Sequence, residues 1–114
     1  MEIIKRATAF EVSNSEVCKV LEYSFKDKEI DLGVATLNGR YPEKGYCINS
    51  VSKELIYVLE GNGNLCFEDK KIGFSAGDSL LIDSGEKYFW ETEYCKVAMI
   101  CTPAWNVEQY KLVD

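Results

Sequence analysis

Residues 54–60 read Glu-Leu-Ile-Tyr-Val-Leu-Glu, an unbroken apolar run between two carboxylates. Extended backbone would put Glu54, Ile56 and Val58 on one face and Leu55, Tyr57 and Leu59 on the other. Gly61-Asn62-Gly63 reads as a turn into a second strand, Asn64–Glu68. That strand meets a charged turn at Asp69-Lys70-Lys71. Gly77-Asp78 opens the apolar run Ser79-Leu80-Leu81-Ile82, and Gly85 breaks the chain before Lys87-Tyr88-Phe89-Trp90. Such runs, cut by Gly, Asp and Asn at intervals of about eight to twelve residues, predict antiparallel all-β structure.

The flanks carry the same pattern. Residues 1–12, with Ile3-Ile4, suit a short edge strand, and Asn14-Ser15 a cap or loop. Residues 18–25 alternate and read as a strand, followed by a charged turn at Lys26–Glu29. Ile30–Leu37 is apolar, and Gly33 and Ala35 point to close backbone packing. Asn38-Gly39 marks a loop in which Pro42 holds Tyr41 extended. Tyr46–Asn49 is short and extended. Beyond a short piece near Ile72, Tyr88–Thr92 and Val97–Thr102 supply the last strands, and Pro103 ends them. Ala104–Asp114 is a short helix or an extended tail, with Trp105 and Tyr110 docking back. Eight to ten antiparallel strands close best as a double-sheet jelly roll or small barrel, because closure limits exposed edges.

Length and charge narrow the function. A chain of 114 residues suits one domain, 1–114. No apolar run approaches the roughly 20 residues of a membrane helix. The start, Met-Glu-Ile-Ile-Lys-Arg, lacks a basic region followed by an apolar stretch, so a cytoplasmic protein without membrane partners is expected. Net charge is −6 and the 13 basic residues are scattered, which gives no basic stripe for nucleic acid. Five cysteines without a CxxC pair read as reduced thiols that pack as small apolar residues.

There is no histidine. This removes the Ser-His-Asp and Cys-His nucleophile pairs. It removes imidazole as a base at neutral pH and as the usual ligand of zinc, copper or non-haem iron. Chemistry falls to carboxylates, Tyr, Lys, Cys or an external cofactor.

Residues from about 39 to 105 resemble the small single-domain cupins. The first motif of that family has two histidines one residue apart, a glutamate four or five residues on, and a glycine seven residues later. Glu54 and Gly61 keep the last spacing, with Tyr57-Val58-Leu59-Glu60 as the strand between. The second motif runs Gly-Asp, apolar strand, Pro-x-Gly and a histidine. Gly77-Asp78, Ile82, Gly85 and Tyr88 fall in that register, as does the ending Thr102-Pro103-Ala104-Trp105. The resemblance implies a cupin-type double-stranded β-helix, a conical jelly-roll barrel with a short C-terminal tail, often a homodimer. Cys47 and Asn49 stand where the paired histidines would, Tyr88 replaces the second-motif histidine, and Asp83 replaces the proline. Of the four metal-binding positions only Glu54 remains, so the family's metal chemistry does not carry over and no cofactor is expected. Other cupins without metal bind sugars or small acids in the barrel, or act through carboxylate, Tyr and Lys.

The candidate site residues are Arg40, Cys47, Asn49, Glu54, Tyr88 and Trp90. Glu54 beside Ile56 and Val58 should have a raised pKa unless paired, and serves as base or ligand anchor. Its bland reading is a rim carboxylate paired with Arg40 or Lys87. Tyr88 and Trp90 share a strand face and suit the apolar side of a ring, or fill the core. Cys47 and Asn49 form a polar wall; Cys47 with Glu54 gives two metal ligands where three or four are needed. Arg40 suits an anion at the barrel mouth, or staples its loop to Glu43 or Asp83. Asp78 reads as a turn residue.

Three functions follow. The chain is a metal-independent cupin that binds a small polar ligand such as a sugar, a sugar acid or a similar metabolite. Alternatively it is an isomerase or epimerase with Glu54 as base and Tyr88 as acid. Alternatively it is a non-enzymatic sensor or assembly module that dimerises through Leu55, Tyr57 and Leu59. A metal enzyme with unusual ligands would need metal to survive dialysis.

Overall fold

A 3-10 turn at Arg6–Thr8 precedes ten strands in the computed structural model, which describes residues 1–114. In chain order these are β1 (Phe10–Ser15), β2 (Cys18–Tyr23), β3 (Asp31–Leu37), β4 (Arg40–Tyr41) and β5 (Tyr46–Asn49). β6 (Lys53–Cys66), β7 (Lys71–Ser75), β8 (Ser79–Ile82), β9 (Phe89–Thr102) and β10 (Tyr110–Val113) follow. The main sheet runs β1-β2-β3-β9-β6-β7, with β4 on β9 and β8 on β6; β10 and β5 form a separate pair. All these pairings are antiparallel.

β6 and β9 are the frame. Each is 14 residues long, and they pair from Lys53↔Thr102 to Cys66↔Phe89. Gly61-Asn62-Gly63 is therefore not a turn between two strands, as its composition suggests. The strand continues through it with register shifts between Val58 and Glu60 and between Asn62 and Asn64. Such bulges bend a strand without ending it. Glycine is needed at both ends of the bend. Gly61 has φ +78°, and a Cβ at Gly63 would sit 2.7 Å from the Thr92 side chain. Likewise Tyr88–Thr92 and Val97–Thr102 are not separate strands: Tyr94, Cys95 and Lys96 stay on the ladder opposite β6, which bridges them.

The first strand also lies further along than Ile3-Ile4 suggests. β1 begins at Phe10 because its tight hairpin with β2 sets the pairing Phe10↔Glu22. Ile3, with no sheet to cover it, is exposed.

Alternation sorts the core. In β6, Ile56 and Val58 are fully buried while Leu55, Tyr57 and Leu59 are exposed. Ala35 and Leu37 from β3, and Cys95 and Val97 from β9, meet them in a buried cluster of 14 residues. Asp78 holds the turn before β8 by accepting the Ser75 N–H at 2.8 Å.

The tail is extended rather than helical. After a single 3-10 turn at Val107–Gln109, β10 pairs with β5, Tyr110↔Asn49 to Val113↔Tyr46. Gln109, buried, fastens it. Its Oε1 accepts the N–H groups of Val51 (3.1 Å) and Ser52 (2.7 Å), and its amide donates to Ser52 Oγ at 2.8 Å. A bridge between Cys47 and Tyr88 joins this small sheet to the start of β9. The result is an all-β, cupin-type jelly-roll barrel with a short C-terminal tail. No helix is long and apolar enough to cross a membrane.

Candidate functional site

The barrel holds an open-mouthed cavity of about 680 Å³. Strands β1 to β6, β9 and the tail all contribute to its wall, and 15 of its 23 lining residues are hydrophobic. Glu54 is the deeply buried acid within it, 6% exposed. It points inward because it shares the β6 face of Ile56 and Val58.

Two donors converge on one Glu54 oxygen. The Tyr88 hydroxyl donates to Oε1 at 2.7 Å, and the Asn49 side-chain amide donates to the same atom. Asn49 Oδ1 in turn accepts the Trp105 Nε1–H at 2.8 Å. Indole can only donate, so Trp105 fixes the Asn49 oxygen toward itself and the Asn49 N–H₂ toward Glu54. Oε2 of Glu54 carries no hydrogen bond. Every sealed side-chain oxygen and nitrogen in the structure has a partner, so Oε2 opens on the cavity.

Burial raises the pKa of Glu54, and the Asp31 charge adds to the rise; the bonds from Tyr88 and Asn49 pull the other way. Burial, then the negative Glu54 beside it, holds the Tyr88 phenol well above its usual range. The site thus keeps a neutral phenol against a carboxyl group whose proton affinity is enhanced.

Cys47 donates its thiol to the Tyr88 carbonyl at 3.4 Å, and burial pushes its pKa up to about 12. A thiol so held stays protonated at neutral pH. No three Cys, Asp or Glu side chains converge as a ligand set. At the positions where the cupins it resembles hold a metal, this chain carries a thiol, an amide and a phenol beside Glu54, and the amide and phenol are bonded to that carboxylate.

Trp90 is both core and wall. Its ring packs edge-on against Phe74 and Tyr88, with centroids at 5.7 Å and 6.5 Å, while it also lines the cavity. Cys47, Asn49, Glu54, Tyr88 and Trp90 are thus brought together around one space.

Arg40 is not with them. Its guanidinium lies 3.8 Å over the Phe89 ring and donates to the carbonyls of Pro42 (2.6 Å) and Gly45 (3.0 Å). Neighbours on a strand face opposite ways, so β4 sends Tyr41 into the cavity and Arg40 away from it. Arg40 staples its loop, though through carbonyls rather than Glu43 or Asp83. Neither cation named as a partner for Glu54 reaches it: Lys87 pairs with Glu68 at 3.7 Å.

Glu22, Asp31, Tyr41, Tyr110 and Trp105 also line the wall, beyond the residues that the sequence pattern singles out. A signal was available for two of them. Cys18, Val20 and Glu22 alternate inward along β2, and Asp31, Gly33, Ala35 and Leu37 along β3. Each stripe is apolar but for an acid at one end. The wall tyrosines are tied together, Tyr41 to Tyr110 hydroxyl to hydroxyl at 2.9 Å.

No family model matches the sequence, and no curated protein matches it. Solved structures do match the fold, and they include cupin-type barrels. A variant of Streptomyces Pac13 solved with uridine superposes with TM-score 0.84 at 14% identity, over 96% of this chain and 88% of that chain. Pac13 is described as a unique nucleoside dehydratase. Ectoine synthase from P. lautus matches with TM-score 0.75 at 11% identity, over 100% of this chain and 91% of that one. The polyketide cyclase RemF from Streptomyces resistomycificus matches with TM-score 0.71 at 15% identity, over 96% and 89%. At these identities the likeness is one of fold.

Proposed function

We propose that this chain is a metal-independent barrel that binds a small polar ligand, such as a sugar, a nucleoside or a similar metabolite, in its cavity. One observation carries the reading: the unpaired Oε2 of a nearly sealed carboxylate opens on a large space with aromatic walls. Ligand pockets commonly combine an apolar lining with a few fixed polar groups, and the volume falls within the usual range. Glu54 anchors a ligand hydroxyl or amine, Asn49 and Tyr88 hold Glu54 in place, and Trp90 supplies a flat wall. A Pac13 variant of similar fold was solved with uridine, which supports including nucleosides among the candidates.

The test is a thermal-shift and tryptophan-fluorescence screen with nucleosides, sugars and small polyols. A true ligand stabilises the fold by mass action. Glu54→Gln and Trp90→Ala should each weaken that stabilisation, and Trp90→Ala should reduce the fluorescence change to the part that Trp105 reports. A ligand whose affinity ignores both substitutions places binding elsewhere and defeats the reading.

The Glu54–Tyr88 bond favours a second reading, proton transfer of the isomerase or epimerase kind. A carboxyl group with raised proton affinity and one free oxygen suits a general acid or base. Glu54 Oε2 would exchange the proton while Tyr88 balances charge on Oε1. A flat pH–rate profile, or full turnover in Glu54→Gln, would sink it.

The exposed row Leu55, Tyr57 and Leu59, with Leu81 opposite Leu55 on β8, supports pairing of two copies through this outer face. Sedimentation velocity showing only monomer would count against that pairing.

A further inference from the structure

Three carboxylates line the cavity and no lysine or arginine does. Glu54 comes from β6, Glu22 from β2 and Asp31 from β3. None takes part in any of the ion pairs, which join Lys53 to Asp83, Lys71 to Glu91 and Lys87 to Glu68. Asp31 is fixed at the wall, where it accepts the Trp105 backbone N–H at 3.0 Å. Lys28 is the cation that acts on Asp31, and it lines an adjoining recess of about 360 Å³ instead.

This is more than a surface cluster of acids. The groups line one open-mouthed cavity from three strands, and the most buried of them turns a free oxygen into it. Their fields add. Asp31 raises the proton affinity of Glu22 and of Glu54, in each case on top of burial. An anionic ligand would bring one more like charge into a poorly solvated space, which is costly. A cationic ligand would supply the counter-charge that the cavity wall lacks, since Lys28 acts on Asp31 from the adjoining recess. The walls favour it too, since Trp90, Trp105 and the tyrosines present aromatic rings, and a cation over a ring face is attracted by the ring quadrupole.

We propose that the cavity selects a ligand that carries a positive charge, a small organic amine with an apolar or cyclic body, over its neutral and anionic isosteres. This rests on the reading of the cavity as a ligand site and narrows its ligand from neutral sugars and nucleosides, and from acids, to amine-bearing metabolites. Glu54 Oε2 receives the ammonium N–H, Glu22 and Asp31 supply the surrounding negative field, and the aromatic walls hold the carbon frame.

The experiment uses three probes of one size: phenethylamine, 2-phenylethanol and phenylacetate at neutral pH. Both tryptophans of the chain line the cavity, so intrinsic fluorescence reports occupancy. The amine should half-saturate at a concentration about tenfold below the alcohol, a difference of about 1.4 kcal/mol. Phenylacetate should not saturate. The double variant Glu22→Gln/Asp31→Asn should bring amine and alcohol to within about twofold, because amides keep the size and hydrogen-bonding reach but not the charge. Glu22→Gln alone, at a half-buried position outside the Glu54 network, should give part of that change if the double variant folds poorly.

Alcohol or acetate binding as tightly as the amine overturns the charge selection and leaves the cavity reading standing. A tenfold preference that survives in the variants also overturns it. Fluorescence unmoved by all three probes overturns the proposal, and the nucleoside and sugar screen then judges the cavity reading separately.

Discussion

The Tyr88 hydroxyl donates to Glu54 Oε1 at 2.7 Å across 34 residues of sequence. Neither residue could be placed by its neighbours alone. Tyr88 is held by reciprocal backbone bonds with Cys47, N to O at 2.9 Å and 3.1 Å, just before β9 begins. Glu54 is held by β6, which lies between β9 and β8. The bond stabilises the ionised carboxyl group in a place where burial disfavours it.

Tyr88→Phe therefore removes a hydrogen bond to a buried charge. The expected cost is about 1.5–3 kcal/mol at a pH where Glu54 is ionised. The loss should shrink in acid, where a protonated Glu54 no longer needs the donor, and the pKa of Glu54 should rise further. Urea unfolding of both proteins at two pH values checks the first expectation, and carboxyl-carbon NMR titration the second.

Stability should fall as pH rises from the acid side toward neutrality. Glu22, Asp31 and Glu54 all have folded pKa values above their ordinary ones, with burial as the main cause. In the window between, the folded state binds more protons than the unfolded state, so unfolding releases protons. Their contribution is complete below the ordinary carboxyl range and is lost as pH climbs through the raised values. Melting temperature against pH should show this decline, and Glu54→Gln should flatten part of it. A melting temperature that climbs steadily through this window would contradict the placement of these acids.

Ile56→Ala should cost about 2–5 kcal/mol, the usual range for emptying a sealed aliphatic site. Leu112→Ala, at 62% exposure on β10, should stay within about 0.5 kcal/mol. Denaturant midpoints for the pair test the face assignment directly.

Arg40→Ala should lower stability by about 1–2 kcal/mol through loss of two carbonyl bonds and the stack on Phe89, and leave ligand affinity unchanged. The same titration that reports on Trp90 measures it. Lost affinity at unchanged stability would return Arg40 to the site.

How far the site was legible depended on the range of the cause. Cys47 and Asn49, or Tyr88 and Trp90, share a face because they are two apart on extended backbone, and all four do line the cavity. Arg40 was misplaced because a loop residue with two backbone carbonyls in reach satisfies its fork locally. The Gly61–Gly63 stretch misled for a related reason: glycines signal a turn and a bulge equally, and only the partner strand decides.

The sequence by itself determined the all-β class, the inward row Glu54, Ile56 and Val58, and the outward row Leu55, Tyr57 and Leu59. These follow from a two-residue alternation that needs no distant partner. Only the tertiary structure decided that β6 and β9 run unbroken through their polar middles, because a ladder partner can outweigh local turn preference. It alone decided that Glu22, Asp31 and Glu54, from three strands, face one space without a cation among them. Strand order and closure set which side chains share a cavity, and those are properties of long-range pairing rather than of any local run of residues.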